Sequence, residues 1–225
     1  MRHDADMISV VIPTLNAERL LPRCFDSLIP AAVSGVVREV IVVDGGSSDE
    51  TLMIADAAGA HIVHSRANRG VQMADGARMA KGDWLLFLRP ETALESGWDA
   101  EAESFLAQAE MERPRAAVFR FALEDFGGEA RRAEVMTNLR AALLALPYGD
   151  QGLLIPKRLY LKLGGYRALA DLEDADLVRR IGRRRLISFR ARAVNVARPK
   201  QSVLRGAALT LLHKLRVPSR LLANL

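Results

Sequence analysis

The sequence has little cysteine: Cys24 is the only one among 225 residues, so no internal disulfide can form. Nothing around it in the sequence marks it as a nucleophile, and its place in a predicted helix favours a small buried side chain. A chain without disulfides suits a reducing compartment, and we expect this protein in the cytoplasm.

Long apolar runs are missing as well. No segment reaches the roughly 18 uninterrupted apolar residues of a membrane span, and residues 1–7 lack the apolar core of a secretory signal peptide. Two of the four histidines, His61 and His64, lie close together, but they have no partners at the spacing of metal ligands. The sequence therefore argues against a transmembrane protein, a zinc site and a catalytic triad.

Acidic residues are absent from the last part of the chain. Residues 1–176 contain 19 Lys/Arg and 27 Asp/Glu, whereas residues 177–225 contain 13 Lys/Arg and no acid. Apolar residues of this tail recur at helical spacing, which predicts either a helix docked on the protein's own core or one bound to an anionic membrane through residues 190–225. We expect no nucleic-acid partner, because Phe189 is the only aromatic residue after residue 176.

Apolar, β-branched runs alternate with helical segments in the N-terminal part. Strands are predicted at 8–12, 39–44, 61–65 and 84–88. Helices are predicted between them at 17–28, 50–58 and 71–80, the second opened by a capping box of Ser47 and Glu50. This alternation predicts an α/β fold with a mostly parallel central sheet flanked by helices and joined by right-handed crossovers.

The second half is less regular. Its pattern predicts helices at 96–109, 133–146, 157–163 and 173–181, and strands at 116–123 and 153–155. We assign residues 1–190 to one domain and residues 191–225 to a basic helical extension.

Asp44 ends the second predicted strand and is followed at once by Gly45 and Gly46. Ligands of open α/β sheets bind at the carboxyl ends of the strands, where a carboxylate can accept hydrogen bonds from a base or a ribose. Thr14 and Asn16, after the neighbouring strand, can line the same pocket. Turn chemistry explains Thr14 and Asn16 equally well, and Asp44 has a structural alternative as an acid that caps the next helix.

Two further positions suit a diphosphate. Arg69 lies at the predicted start of a helix, where the positive end of the helix and a guanidinium both attract phosphate. Glu91 follows the fourth strand, where a carboxylate can hold a divalent cation bound to a diphosphate. Each residue also has a purely structural interpretation: Arg69 as a surface arginine, and Glu91 as a loop acid near a helix N-terminus.

Glu173 and Asp174 are neighbouring acids at the start of the last predicted helix, so their side chains diverge by about 100°. One of them can face a cleft as a general base while the other holds a basic partner. A pair of acids that only stabilises the helix N-terminus is the more ordinary interpretation. Asp150 and Gln151, in a loop before a short strand, form the remaining acidic site.

Seven short segments form an ordered set across about residues 8–190. They are residues 9–16, 42–49, 69–73, 80–88, 147–152, 164–166 and 172–174. Together they resemble family 2 glycosyltransferases with the GT-A fold, and more narrowly the branch called radical-SAM/selenodomain-associated glycosyltransferases.

The resemblance implies an inverting glycosyltransferase that uses a nucleotide-diphosphate sugar together with Mg²⁺ or Mn²⁺. Combined with the residue arguments above, it places the nucleotide at Pro13, Thr14, Asn16, Asp44, Gly45, Arg69 and Asp83. Asp174 would be the general base that takes a proton from the acceptor hydroxyl. Asp150, Gln151 and Glu173 would shape the acceptor side, and Glu91 would hold the metal.

The chain departs from the family's pattern at two places. The loop after the fourth strand reads Arg89-Pro90-Glu91-Thr92 where the branch commonly has His-Ala-Asp-Thr, and one hypothesis is that Arg89 partly replaces the metal in balancing the leaving diphosphate. Residues 188–192 lack the tryptophan usual beside the family's arginines.

The alternative function is therefore a catalytically impaired protein that binds a nucleotide-sugar or serves as a membrane adaptor. For an active enzyme, the acceptor is an unknown hydroxyl compound, and a lipid-linked acceptor would suit a membrane-bound tail.

Overall fold

The computed structural model of the protein describes residues 7–109, 113–124, 149–169 and 172–196. The strands are β1 (Ile8–Thr14), β2 (Val37–Asp44), β3 (His61–His64), β4 (Trp84–Phe87), β5 (Thr92–Leu94), β6 (Ala116–Leu123), β7 (Leu153–Pro156) and β8 (Leu186–Asn195). The helices are α1 (Leu21–Asp26), α2 (Ile29–Val33), α3 (Thr51–Ala57), α4 (Arg69–Met79), α5 (Trp98–Ala107), α6 (Lys157–Lys162) and α7 (Glu173–Ile181). All eight strands belong to one sheet, in the order β3-β2-β1-β4-β7-β6-β8-β5.

The first four strands pair in parallel, as the sequence predicts. Every residue of β1 is buried, because helices cover both faces of this part of the sheet. Thr14 on β1 lies in register with Asp44 on β2, and Val11 lies in register with Phe87 on β4. The carboxyl ends of β1, β2 and β4 therefore meet at one edge, which we call the carboxyl edge.

The helices between these strands differ in detail from the prediction. The segment 17–28 does not form one helix: α1 begins only at Leu21, with Pro22 in its first turn, and α2 begins separately at Ile29. Proline lacks a backbone N–H, so it suits a first turn and interrupts a longer helix. The predicted capping box is wrong, since Asp49 accepts the hydrogen bond from Thr51 N at the start of α3 (3.0 Å).

The second half of the sheet is mixed. β7 runs antiparallel to both β4 and β6, while β6 runs parallel to β8. The predicted strand at 116–123 and the predicted helix at 173–181 are both present with those bounds. The predicted helix at 133–146 lies outside the described residues.

β5 and β8 were not predicted from the sequence. β8 alternates inward residues such as Phe189 and Ala193 with outward Arg190 and Arg192, so it carries a period of two that the basic composition obscures. This strand continues to Asn195, past the predicted domain end at residue 190. The rest of the predicted extension, from residue 197 onward, lies outside the described residues.

Two hydrophobic clusters, one on each face of the sheet, form the core. Edge-to-face aromatic pairs join Trp98 to Phe119 and Phe105 to Phe189, which ties α5 to β6 and β8. Cys24 is buried in the same core, as predicted, and burial raises the pKa of its thiol to about 12, so it is chemically inert. Among the described helices, none combines the length and the apolarity needed to cross a lipid bilayer.

Candidate active site

Asp44 organises the loops that follow β1 and β2. Its Oδ2 accepts hydrogen bonds from Gly46 N and Ser47 N (both 2.8 Å), and its Oδ1 accepts from Ser47 Oγ (2.5 Å) and Thr14 Oγ1 (3.1 Å). Burial opposes the charge of this carboxylate, but the four hydrogen bonds outweigh burial and lower the pKa of Asp44 below its ordinary value.

These four bonds use the acceptor capacity of one carboxylate, which offers about four lone-pair positions. Asp44 is also only 1% exposed. In the structure Asp44 therefore holds together the loops after β1 and β2. Its contact with the base of a nucleotide stays a prediction.

The two loops are held to each other by further bonds. Asn16 takes a left-handed backbone conformation (φ 52°), its N donates to Ser47 Oγ (2.8 Å), and its Oδ1 accepts from Ser48 N (2.9 Å). The side chain of Gln72, on α4, donates to Thr14 O (2.8 Å) and Val43 O (2.7 Å). Gln72 therefore joins the ends of β1 and β2, a role that its sequence position did not reveal.

Pro13 and Gly45 also lie at this edge, whereas Asp83 does not. Pro13 is buried within β1 opposite Val43, and a Cβ at Gly45 would lie 3.2 Å from the Gln72 side chain. Asp83 precedes β4, so the length of that strand, about 13 Å, separates it from the carboxyl edge. The predicted place of Asp83 in the nucleotide pocket is wrong, because it lies at the opposite edge of the sheet.

Arg89 lies two residues after the end of β4 and is surrounded by acids. Its Nη1 donates to Asp150 Oδ1 (2.7 Å), its Nη2 donates to Asp174 Oδ2 (2.9 Å), and Nη2 lies 3.8 Å from Glu173 Oε1. Burial opposes the charge, but these three carboxylates outweigh burial and raise the pKa of Arg89 above its ordinary value. The guanidinium faces the predicted acceptor side, which disagrees with a role in balancing the leaving diphosphate.

Asp174 is clamped from two sides. Tyr166 Oη donates to Asp174 Oδ1 (2.8 Å), and Arg89 holds the other oxygen. Burial, followed by the charge of Asp174, raises the pKa of Tyr166 well above its ordinary value, so the phenol stays protonated and donates. Each oxygen of Asp174 retains acceptor capacity for a further hydroxyl, which a general base needs.

The backbone before α7 aims Tyr166 at this carboxylate. Gly165 has φ 61°, and a Cβ there would lie 2.8 Å from the ring of Tyr160, so only glycine suits this position. Tyr160 Oη in turn accepts from Tyr166 N (3.0 Å), and Arg180 donates to Gly165 O (2.7 Å). Tyr166 belongs to the segment 164–166, which resembles the glycosyltransferase family, but the amino-acid sequence alone did not indicate its contact with Asp174.

Glu173 lies beside Asp174 but in a different environment. It is 1% exposed, and its Oε1 lies 2.6 Å from Arg69 Nε on α4. Burial and the neighbouring Asp174 raise the pKa of Glu173 to about 7, although Arg69 and Arg89 lower it. The residue before it, Leu172, has φ 67°, a strained conformation for leucine that starts α7 and sets where the two acids lie.

The remaining predicted site residues divide between the acids around Arg89 and the core. Asp150 lies beside Arg89, and its carbonyl accepts from Asn195 Nδ2 (2.8 Å). Gln151 is 1% exposed and donates to Phe119 O (3.1 Å), so it packs into the core and not onto an acceptor surface. Glu91 lies half-buried in the turn between β4 and β5.

The side chains of the site are only partly suited to coordinate a divalent cation. Among the described residues, no three acidic, histidine or cysteine side chains converge as a cation cage. The acids near the end of β4 already surround Arg89, whose positive charge disfavours a second cation among them. Glu91, with the oxygens of a diphosphate and water, is a sufficient set for Mg²⁺. The residues present therefore fit a cation shared with the substrate.

The N-terminus of α4 joins the two halves of the site. Gln72 contacts the ends of β1 and β2, and Arg69, one turn earlier, contacts Glu173 at the start of α7. A Cβ at Gly70 would overlap Arg167 O, so the segment before α7 packs directly against this helix. Asp44, Arg69, Arg89 and Asp174 accordingly lie along one edge of the molecule.

Comparison with known proteins gives matches for this arrangement. Residues 9–90 match the family described as Glycosyl transferase family 2. A PGL/p-HBAD biosynthesis glycosyltransferase of Mycobacterium bovis (strain BCG / Pasteur 1173P2) is 38% identical over 114 residues, which are 47% of this chain and 44% of that protein. The chain thus matches less than half the length of this curated relative.

Solved structures extend the likeness to the whole fold. Glucosyl-3-phosphoglycerate synthase from Mycobacterium tuberculosis, crystallised with Mn²⁺, UDP and glucosyl-3-phosphoglycerate, superposes with a TM-score of 0.67 at 23% identity, covering 95% of this chain and 81% of that one. The same enzyme crystallised with Mg²⁺ and UDP gives a TM-score of 0.69 at 21% identity, covering 95% and 80%. Residues 9–90 of this chain therefore match the model of Glycosyl transferase family 2, and the chain has the fold of GT-A glycosyltransferase structures.

Proposed function

We propose that this chain is an inverting glycosyltransferase that moves a sugar from a nucleotide-diphosphate sugar to an acceptor hydroxyl. One observation carries the proposal: Asp174 is held by Arg89 and Tyr166 on the same edge as the loops of the family-matched segment. A clamped carboxylate beside a nucleotide-binding edge is what a general base for sugar transfer requires.

The donor binds along the ends of β1 and β2 and the start of α4. Thr14, Asn16 and Gly45 form the bonded loops there, and α4 directs its N-terminus and Arg69 toward the same edge. A helix N-terminus and a guanidinium both attract the negative oxygens of a diphosphate. Structures of a neighbour crystallised with UDP support a uridine diphosphate sugar as the first donor to test.

In the transfer, Asp174 takes the proton of the acceptor hydroxyl as its oxygen attacks the anomeric carbon. The bond between that carbon and the diphosphate breaks, and the nucleotide diphosphate leaves from the opposite face. Attack opposite to the leaving group inverts the configuration of the sugar. Arg89 and Tyr166 keep the carboxylate oriented, and the proton finally resides on Asp174.

Glu91 is the residue that would hold Mg²⁺ or Mn²⁺ together with the diphosphate. When bound, the cation would neutralise charge on the leaving diphosphate. Neighbouring structures that contain Mn²⁺ or Mg²⁺ with UDP support this assignment.

The acceptor is proposed only as a hydroxyl compound that reaches Asp150, Glu173 and Asp174. The relatives differ in this respect: one is named for PGL/p-HBAD biosynthesis, and another is crystallised with glucosyl-3-phosphoglycerate. A lipid-linked acceptor and a cytoplasmic protein held at a membrane by residues 190–225 remain proposals, which flotation with anionic liposomes tests.

The deciding experiment is a thermal-shift screen of sugar nucleotides, with and without Mg²⁺ or Mn²⁺, followed by a product-release assay with the best ligand. Only ligands of the native state raise the melting temperature. Release of nucleotide diphosphate in the presence of acceptor, abolished by Asp174→Asn, supports transfer. No stabilisation by any sugar nucleotide contradicts the proposal.

A binding protein without transfer activity is the second candidate. It is favoured by one observation: the loop that follows β4 carries Arg89, which neutralises the acids of the acceptor side. Binding of a sugar nucleotide without turnover, across a panel of acceptors, would support it.

A further inference from the structure

Asn195, the last residue of β8, is a buried amide that binds two other loops through its side chain. It is 1% exposed. Its Oδ1 accepts a hydrogen bond from Thr92 Oγ1 (2.6 Å), and its Nδ2 donates to Asp150 O (2.8 Å) and to Ala193 O (3.0 Å). The two carbonyls fix the orientation of the amide, because only its nitrogen can donate to them.

The sheet already holds Asn195 in place through its backbone. Asn195 lies in register with Thr92 on β5 and with Leu123 on β6, and its carbonyl accepts from Glu124 N (3.0 Å). The side chain reaches further, to Asp150 in the loop before β7, a strand that is not a neighbour of β8. The amide therefore joins segments that strand pairing alone does not join.

The first of these segments is the turn that carries Glu91. Thr92 closes this turn, since its N donates to Arg89 O (3.0 Å), and its hydroxyl is the one that Asn195 accepts. Thr92 is fully buried, and Glu91 O accepts from Val196 N (3.4 Å), directly after Asn195. The end of β8 therefore fixes where the backbone of Glu91 lies, and with it the carboxylate that we assign to the cation.

The second segment leads to the proposed general base. Asn195 holds the carbonyl of Asp150, whose carboxylate accepts from Arg89 Nη1 (2.7 Å). The other end of that guanidinium donates to Asp174 Oδ2 (2.9 Å). Arg89 itself is 6% exposed, so its orientation depends on these neighbours. A change at Asn195 is therefore passed to Asp174 through Asp150 and Arg89.

We propose that Asn195 is a positioning residue for sugar transfer, which ties the turn that presents Glu91 to the cation and the loop that braces Arg89 against Asp174 into one unit. This inference rests on the proposed function, which gives Glu91 and Asp174 their roles. Asn195 is too buried to contact substrate, so it acts through these residues. Groups that hydrogen-bond behind the ligands of a metal typically change metal affinity or activity by about 10- to 100-fold.

Binding of Mn²⁺ to the full chain in the presence of UDP tests the connection to Glu91. UDP is the probe because a structural neighbour is crystallised with Mn²⁺ and UDP. Free Mn²⁺ is measured by its electron paramagnetic resonance signal, and the same titration without protein is subtracted. Affinity for UDP in the presence of a chelator is measured separately, because it reports the loops after β1 and β2 without the cation.

Two substitutions of Thr92 isolate its hydroxyl. Thr92→Val keeps the shape of the side chain but leaves Asn195 Oδ1 without this donor, so Mn²⁺ affinity should fall roughly tenfold. Thr92→Ser keeps the hydroxyl and should restore the affinity to within about twofold. UDP affinity in chelator should be the same in both variants.

Asn195→Ala removes both connections at once. Mn²⁺ affinity should fall at least as far as in Thr92→Val, and kcat measured by product release should fall by roughly tenfold as well, because Asp150 O loses its donor. Adding Thr92→Val to Asn195→Ala should weaken Mn²⁺ binding no further, since the bond between the two side chains is already gone.

Ser9→Ala is the matched control. Ser9 is fully buried near the start of β1, at the opposite edge of the sheet, where its hydroxyl donates to Glu39 (2.7 Å) and accepts from Gly82 N (2.8 Å). Loss of this buried hydroxyl should lower the melting temperature but leave Mn²⁺ affinity and kcat unchanged. The control thereby separates positioning of the site from a general loss of stability.

The outcomes separate this inference from the proposed function. Unchanged Mn²⁺ affinity in Thr92→Val, an equal loss of UDP affinity in chelator, or a UDP complex that binds no Mn²⁺ overturns the role of Asn195 and leaves sugar transfer standing. Failure of UDP and of every sugar nucleotide to bind overturns both. If Asn195→Ala does not fold, the Thr92 variants decide, because equal Mn²⁺ affinity in Thr92→Val and Thr92→Ser contradicts the inference.

Discussion

Asp44 and Glu173 are equally buried carboxylates in opposite surroundings, each 1% exposed. Asp44 accepts four hydrogen bonds from neutral donors of its own loops, and its pKa is lowered. The carboxylate oxygens of Glu173 accept no hydrogen bond of good geometry from another described residue and lie beside two guanidinium groups, and the pKa of Glu173 is raised to about 7. Burial raises the pKa of both carboxylates, and only at Asp44 do directed hydrogen bonds outweigh it.

This difference predicts that the two sides of the site respond differently when a ligand binds. The loops around Asp44 are fully bonded and suited to present a fixed surface to a nucleotide. The cluster around Arg89 and Glu173 carries unequal charge with incomplete bonding, so its energy changes when a charged ligand arrives. The following predictions test whether this difference holds.

Asp174→Asn should have the largest effect on activity. Loss of the proposed general base should reduce kcat by about 10²- to 10⁴-fold, because an amide cannot take the proton of the attacking hydroxyl. Donor affinity should change little, and both are measured by product release and calorimetry. Asp56→Asn, an exposed acid on α3, serves as control. Undiminished kcat would place the base elsewhere.

Arg89→Met should cause the largest loss of stability. It removes the guanidinium that Asp150 and Asp174 share and leaves Arg69 beside Glu173. Removing one partner of a buried ion pair costs about 3–5 kcal/mol. Urea unfolding at pH 7 measures the loss. The matched control is Arg23→Met, whose exposed pair with Glu124 should contribute at most about 1 kcal/mol. Equal losses in the two variants would contradict a special role for the cluster.

Glu173→Gln should stabilise the protein at alkaline pH. The folded-state pKa of about 7 lies above the ordinary value of 4.5, so the folded state binds the extra proton and stability falls as pH rises between these values. Above pH 7 the variant avoids this loss and should gain up to about 3 kcal/mol. Below pH 4.5 the two proteins should be alike. Urea unfolding at pH 4 and pH 8 checks the difference, and a constant gap would exclude titration of Glu173.

Asp44→Asn should give a smaller effect of opposite pH dependence. The amide has one acceptor oxygen, and its NH₂ group only donates, so it can accept from Gly46 N or from Ser47 Oγ but not from both. A lost buried acceptor costs about 2 kcal/mol. The lowered pKa makes this stabilisation present above the unfolded-state pKa and lost as pH falls through the folded-state pKa. The deficit measured at pH 7 should therefore shrink in strong acid, and a deficit unchanged in acid would contradict this account.

Tyr166→Phe should have the smallest effect. It removes the hydrogen bond to Asp174 Oδ1 but leaves the bond from Arg89. A single hydrogen bond contributes about 1 kcal/mol, which corresponds to roughly a threefold to tenfold loss in kcat with donor affinity unchanged. An equal loss of donor affinity would indicate a general loosening of the fold.

The parallel half of the sheet could be predicted because its signals are local. The runs that form β1, β2 and β4 are continuous and apolar, as strands buried on both faces require. β5 and β8 were missed for the converse reason, since β5 is short and β8 is rich in arginine. They become strands by pairing, β5 with β8 and β8 also with β6.

The candidate site divides in the same way. The place of Glu173 and Asp174 at a helix N-terminus followed from the sequence, and the structure confirms it. The opposite position of Asp83 follows only from the direction of β4, and the core position of Gln151 follows only from its contact with β6. The narrower selenodomain-associated branch and the inverting outcome stay predictions.

The sequence by itself determined the order of the first strands and helices and the positions where polar residues end them, because hydrophobic period and turn chemistry are properties of neighbouring residues. Only the tertiary structure decided what each acid does. Asp44 accepts three hydrogen bonds from Gly46 and Ser47 in its own turn and one from the distant Thr14. Glu173 instead lies beside Arg69 and Arg89, which are both far away in the chain. Charge states depend on distances of a few ångströms in three dimensions, and the order of residues along the chain does not contain those distances.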